Sequence, residues 1–360
     1  MIVVPEPGTV TTDAASGFTY TASPTRIVFG NGALAQLPHE VDRLGGRRVL
    51  LIASDRHRAV AQAILGGLAV ASFSGAAMHT PVEVTEQAAR LARETDVDTV
   101  VAVGGGSAVG LAKALAAREG YDQVVVPTTY AGSEVTPVLG ETRNGVKTTR
   151  SGPEILPETV LYDVSLTIDL PTDLTLVSSI NALAHAVEAL YAPDSDPATG
   201  AFAVEAVGRI GRGLRAVRTD ARSVGARTDL LVGAWLAGTC LAGASMGLHH
   251  KLCHVLGGTF ALPHAQTHAV VLPHAMRYNA VAAPEAMARV AAALGVDDAP
   301  SGVLDLVVGG GGPTDLARLG FTIEQIPQAV ELALAQQYPN PAALTAEGIT
   351  ALLHAAVGEP

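Results

Sequence analysis

The sequence predicts an α/β domain followed by an all-helical one, and three observations carry that expectation. Short apolar runs alternate with helical periodicity through the first part of the chain. Beyond Pro171, long alanine-rich stretches replace them and β-rich runs become few. A chain of 360 residues is also long for one core, because domains commonly hold roughly 150 residues. The expected organisation is an N-terminal extension over residues 1–17, an α/β dinucleotide-binding domain over 18–170 and a helical catalytic domain over 171–360.

Each element has its own local reason. Residues 26–30 (RIVFG) read as a strand. Residues 48–53 (RVLLIA) form a continuous apolar run, as expected of a strand covered on both faces. Residues 85–93 carry helical periodicity, 99–103 (TVVAV) read as a second buried strand, 107–118 as a helix and 123–127 (QVVVP) as a strand. Strand, helix and strand joined by short links predict a parallel sheet with helices on its faces. Residues 173–190, 197–219, 223–248, 283–294 and 323–336 read as helices. The run Gly309 to Gly312, ahead of Pro313, reads as a helix stop rather than a phosphate loop.

Composition narrows the function. Apolar residues make up 48% and charged ones 16%, which suits a buried core and opposes disorder. A net charge of −11 offers no basic surplus for phosphate-backbone contacts, so no nucleic-acid partner is expected. Two cysteines, Cys240 and Cys253, do not make a disulfide framework. The start, MIVVPEPGTV, lacks the positive region of a signal peptide. Leu230 to Leu248 runs 19 residues without charge, but its glycines, Thr239 and Ser245 fit a buried helix better than a membrane span. A soluble cytoplasmic protein is expected. Only three of 23 basic residues are lysine: Lys113, Lys147 and Lys251.

Several motifs carry chemistry. Gly104-Gly105-Gly106-Ser107 joins a strand to a helix, where glycines admit a pyrophosphate and the helix offers unpaired N–H groups. A plain tight turn would look the same. Lys113, further along that helix, reads as part of a solvated face. Pro127-Thr128-Thr129-Tyr130-Ala131-Gly132-Ser133 follows a strand and suits either phosphate or ribose binding, or a self-satisfied turn. Asn181 and His185 are spaced to share one helical face. The strongest signal is histidine: six of eleven fall between residues 249 and 274. His250 and His254 share a helix face, and His264 follows a Gly-Gly break that lets the chain fold back. His268 and His274 are the members most easily explained as structural.

Taken in order, GGGS, PTT…GSE, His185, H-x-x-x-H and P-H resemble the iron-containing alcohol dehydrogenase family, over nearly the whole chain from about Phe18. Within it the chain is most similar to the branch that reduces maleylacetate, in Phe18-Thr19-Tyr20-Thr21, PTTYAGSEVTP, GVKTT, NALAHAVEALYA, GLHHKLCHVLGGTF and LPHAQTHAVVLPHA. The resemblance implies a Rossmann-like domain and a helical domain in a dehydroquinate synthase-like arrangement, with the active site in the cleft between them. It implies NADH as hydride donor, with NADPH possible, and a homodimer. Gly104, Gly105, Gly106, Ser107, Thr128, Thr129, Tyr130 and Ser133 would line the cofactor pocket. Lys147 would sit near it, and Asp55 could accept the adenosine ribose hydroxyls.

Departures from the family pattern matter as much. Metal-dependent members hold their ion with an Asp and three His; the matching residues here are Asn181, His185, His250 and His264. Losing the carboxylate removes the charge that offsets a cation, so no tightly bound metal is expected. The family's Asp in GGGSxxD is Gly110, and the PTT loop is one residue shorter. The implied substrate is a small unsaturated keto-dicarboxylate whose reduction passes through a delocalised enolate, which hydrogen bonds can hold without a Lewis acid. His250 and His254 are expected to stabilise the enolate or relay its proton, with His185, His264 and Asn181 shaping the pocket. His249 and Lys251 are candidates for a substrate carboxylate, and Lys251 equally for solvent.

Overall fold

A computed structural model describes residues 17–143 and 145–358. All but Gly17 of the expected N-terminal extension falls outside the described residues.

The first half forms β1 (Arg26–Gly30), α1 (Leu37–Arg43), β2 (Val49–Ala53), α2 (Asp55–Leu65), β3 (Ala69–Phe73), α3 (Val82–Glu94), β4 (Thr99–Gly104), α4 (Gly106–Glu119) and β5 (Asp122–Pro127). An antiparallel hairpin of β6 (Val138–Arg143) and β7 (Val146–Ser151) follows, then β8 (Thr159–Asp163). Six strands make one parallel sheet in the order β1-β8-β5-β4-β2-β3. Strand direction of travel reverses between β2 and β4, and ligands in open α/β sheets bind outside the carboxyl ends at such a point. The continuous apolar run of β2 has a clear cause. Leu51 and Ala53 pack with Leu37, Val41 and Ala61 of α1 and α2, whereas Leu50 and Ile52 pack with Ala88, Ala108 and Leu111 of α3 and α4. Both faces are covered, and each fully buried side chain of this size contributes roughly 1.5–3 kcal/mol. The weakly patterned AVASF of β3, the TVLYD of β8, the hairpin, α1 and α2 went unassigned from sequence.

Helices α5 (Thr172–Ala189), α6 (Pro197–Thr219), α7 (Val224–Gly243), α8 (Leu248–Thr259), α9 (His264–Asn279), α10 (Pro284–Leu294), α11 (Ala299–Gly309), α12 (Ile326–Leu334) and α13 (Ala346–Val357) make the second half. Gly309 ends α11 and Gly311 turns at φ 73°, so this glycine run is a helix stop. One core cluster joins Tyr130, Val160 and Tyr162 of the sheet half to Ile180, Leu183 and Leu230 of the helical half. Arg227 ties the same seam. Its fully buried guanidinium donates to Tyr130 Oη at 3.2 Å, Thr175 Oγ1 at 2.7 Å and the carbonyls of Leu170 and Ala221.

The helix expected over residues 223–248 ends at Gly243, and after a break at residues 244–247 the chain turns by 96° into α8. Two carboxylates make the break. Asp194 accepts from Ser245 N and Oγ, and Glu188 accepts from Gly247 N and His249 N. Gly247 suits the break, because a Cβ there would crowd Glu188 Oε1 at 3.2 Å and Pro339 O at 3.1 Å. Among the described residues no single helix is long and apolar enough to cross a membrane; only this bent pair meets the length and composition test.

Candidate active site

Six imidazoles converge where α5, α8 and α9 meet. His185 stacks on His250 with ring centroids 4.9 Å apart. His249 and His268 touch through Nε2 and Nδ1 at 2.9 Å. His264 lies 4.4 Å from the His268 ring and 6.5 Å from that of His254. His268, read from sequence as a structural bystander, is therefore inside the cluster. His274 stays outside these ring contacts, half-buried on α9.

Glu188 organises the group, and sequence reasoning missed it. It is fully buried, one turn beyond His185 on α5. Its oxygens accept from the backbone N–H of Gly247, His249 and His250 at the start of α8, from Tyr191 Oη, and from His250 Nδ1 at 2.6 Å. Every neighbour is a donor, so the group serves as an acceptor-only carboxylate and fixes a proton on Nδ1 of His250. That turns Nε2 of His250 toward the cluster, where no protein group pairs with it. The signal was present in the sequence, as an acid within the otherwise apolar face of NALAHAVEALYA.

Burial, reinforced by neighbouring imidazoles, holds His185, His249 and His268 well below the ordinary histidine range. These three are neutral shaping groups near neutral pH. His254 is exposed, and with His264 it lines a cavity of about 200 Å³. The other walls are Cys253, Gly257, Gly258 and Ala261 from the helical half, and His79, Thr142 and Gly145 from the sheet half. Among the described residues, the walls of three larger surface cavities hold no histidine.

Backbone strain gathers at this cavity. His79 (φ 62°) and Ala261 (φ 56°) line it, and Thr80 (φ 46°) adjoins it; Asp96 is the other non-glycine residue with positive φ among those described. Such conformations cost about 1–3 kcal/mol each, and a β-branched residue like Thr80 is a genuine outlier there. His79 was not singled out from sequence.

The cofactor candidates meet at the carboxyl ends of β4, β2 and β5. Thr128 N donates to Gly104 O at 3.0 Å, joining the two loops. Gly105 caps α4 with no side-chain cap, and a Cβ on it would meet Thr129 Cγ2 at 3.0 Å. The position above Gly106 is open, and Ser107 follows in the first turn. Asp55 begins α2, is exposed and pairs with Arg58 at 3.0 Å. Asp55 and the glycine turn thus flank the sheet's reversal point. Lys147 belongs to β7, but its side chain lies outside the described residues.

Three expectations need correction. The Tyr130 ring is fully buried in the interdomain core with its hydroxyl on Arg227, so the ring does not line an open cofactor pocket. Lys251 does not line the histidine cavity; its ammonium lies 5.9 Å from the centroid of the Tyr338 ring. Lys113 is not on a solvated face. It is buried and donates to Ser133 O at 2.5 Å, Thr136 O at 2.8 Å, Thr136 Oγ1 at 3.1 Å and Val138 O at 3.1 Å. Burial pushes its pKa down to about 7, opposed in part by Glu134. Lys113 thereby pins the loop that carries Ser133.

Asn181, His185, His250 and His264 fit a divalent cation by donor type. Asn181 Oδ1 is buried without a protein partner, as is His250 Nε2. Charge is what the set lacks, because Glu188 is occupied by α8 and by His250 Nδ1.

Comparison with known proteins follows the same outline. Residues 24–164 match the family model for iron-containing alcohol dehydrogenase, and residues 175–357 match that for the C-terminal part of the Fe-containing alcohol dehydrogenase family. The chain is 52% identical to maleylacetate reductase 1 of Rhodococcus opacus over 347 residues, covering 96% of this chain and 97% of that one. It superposes on a crystal structure of maleylacetate reductase from Agrobacterium tumefaciens with a TM-score of 0.91 and 48% identity, covering 95% and 98% of the two chains. Sulfoacetaldehyde reductase from Bifidobacterium kashiwanohense, solved in complex with NAD+, shares the fold at a TM-score of 0.87 and 22% identity, over 96% and 100% of the chains.

Proposed function

The chain belongs to the iron-containing alcohol dehydrogenase family, and from that premise we propose that it reduces the conjugated C=C bond of maleylacetate to 3-oxoadipate with NADH. The observation that carries this reading is the Glu188–His250 pair, set beside a cleft cavity whose walls, among the described residues, hold imidazoles and no carboxylate. Such walls suit a dianionic substrate.

NADH, when bound, would supply a hydride to the carbon β to the ketone. The two electrons pass through the conjugated system to the ketone oxygen, giving an enolate, which takes a proton at carbon. With Nδ1 held by Glu188, His250 aims Nε2 at the cluster, where it is placed to stabilise the developing oxyanion or relay its proton. The exposed His254 is placed to relay the proton that reaches carbon. His185, His249 and His264 shape and dry the pocket. Gly104, Gly105, Gly106, Ser107, Thr128, Thr129 and Ser133 hold the cofactor, with Asp55 at the adenosine ribose, which favours NADH over NADPH. An ion bound by Asn181, His185, His250 and His264 would supply Lewis-acid polarisation of the ketone; the reading is that turnover needs no tightly held one. A cytoplasmic homodimer completes the proposal.

An NADH-consumption assay with maleylacetate, alongside simple alcohols and aldehydes, tests the reaction. Turnover of maleylacetate with little of the others is expected. Turnover of aldehydes alone, dependent on added zinc or iron, would replace this reading with a metal-dependent aldehyde reductase.

A further inference from the structure

His79 sits across the cleft from the histidine cluster, on a different domain, and no step above uses it. It lines the cavity with His254 and His264, together with Thr142 and Gly145 of its own half. Among the described residues the walls hold no lysine or arginine, and a carboxylate entering there meets imidazole, hydroxyl and backbone donors.

The backbone that presents His79 is held in place against its own preference. His79 and Thr80 are consecutive residues at φ 62° and 46°. Thr80 O accepts from Thr142 N at 3.3 Å, and Pro81 pairs with Thr142 as an isolated parallel bridge. Helix α4 supplies the seat, because a Cβ on Gly110 would lie 2.4 Å from Thr80 Oγ1. Gly110 is one of the positions where the sequence departs from its family's usual aspartate. Its small size is what lets the 79–80 turn pack down and aim at the cleft. Strain maintained from two sides, at a position lining a cavity, is the pattern of a preorganised binding group.

We propose that His79 is a substrate-binding residue that donates an imidazole N–H to one carboxylate of the dicarboxylate substrate, from the nucleotide-binding side of the cleft. This rests on the reading of the substrate as a keto-dicarboxylate. His79→Asn tests it, since asparagine tolerates positive φ and removes the imidazole. His79→Gly, which relieves the strain outright, is the second variant.

Two readouts separate this role from the reaction assignment. In turnover, both variants are expected to raise KM for maleylacetate tenfold or more, with kcat within about threefold and KM for NADH unchanged. In calorimetry of the enzyme–NADH complex, adipate, an unreactive six-carbon dicarboxylate, is expected to bind the variants at least tenfold more weakly than the native enzyme. Equal adipate affinity, or a parallel rise in KM for NADH, overturns the role of His79. A native enzyme that fails to reduce maleylacetate overturns the reaction instead, and the adipate comparison still decides His79.

Discussion

Glu188 Oε2 lies 2.6 Å from His250 Nδ1 while the same carboxylate closes the amino end of α8. One buried charge thus sets both where the histidine helix begins and which nitrogen of His250 faces the cluster. Glu188→Gln should separate these roles from substrate or cofactor binding. The amide can present its Nε2 only as a donor toward N–H groups that need an acceptor. Turnover should fall about 10–100-fold, as for other groups that orient a site histidine. The free energy of unfolding should fall by about 2–4 kcal/mol, with KM for NADH near native. Native turnover with a native melting curve would show that neither bond matters.

Lys113 carries a second expectation, opposite to the one its helical position invited. Its ammonium serves four oxygens of residues 133–138 inside the protein. Lys113→Met removes the ammonium from those oxygens, of which Ser133 O keeps only Thr136 N and Oγ1, and should destabilise the fold by about 2–4 kcal/mol. Because Ser133 lies in the loop proposed to hold the cofactor, KM for NADH should also rise. Lys113→Arg keeps charge but adds bulk where 2% of the residue is accessible, and it should rescue poorly. Denaturant midpoints and NADH titrations of the two variants check this; unperturbed midpoints would return Lys113 to the surface.

The contrast between Lys113 and the histidines marks what sequence conveys. The buried strands β2, β4 and β5 were legible because continuous apolar runs have few other uses. The histidine cluster was legible because clustering and i, i+4 spacing are local properties. Lys113, Glu188 and His79 were not, for one shared reason. Each owes its role to partners 20 to 62 positions away in the chain or to the opposite domain. Nothing in LAKALA announces that its lysine will be roofed by the 133–138 loop. The break between α7 and α8 was hidden likewise, since the carboxylates that make it, Asp194 and Glu188, lie in and just after α5.

Acid should weaken the fold through His274, among others. Burial, and then the charge of Arg277, push its pKa from 6.5 down to about 4. Below pH 6.5 the unfolded chain takes up a proton that the folded chain refuses. The contribution of His274 to stability is therefore complete above about pH 6.5, declines as pH falls toward 4, and levels off below. The ceiling is about 3–4 kcal/mol at roughly 1.4 kcal/mol per unit. His185, His249 and His268 act in the same direction. Denaturant midpoints followed from pH 7 to 4 should slope less steeply in His274→Gln; an identical slope would remove His274 from the account.

Asn181 offers the sharpest test of whether the pocket's charge, rather than its shape, governs metal binding. Asn and Asp are nearly isosteric, and Oδ1 of Asn181 is already buried without a protein partner beside His185 on α5. Asn181→Asp adds the negative charge that three imidazoles cannot supply, so zinc or iron affinity should rise at least tenfold. The added charge also opposes an enolate forming nearby, so turnover of maleylacetate should fall even when metal is withheld. Metal content after dialysis against a chelator, measured beside activity, reads both effects. Stoichiometric metal in the native protein, with activity lost to the chelator and restored by zinc or iron, would instead make the neutral donor set sufficient. The metal-free reading would then be wrong.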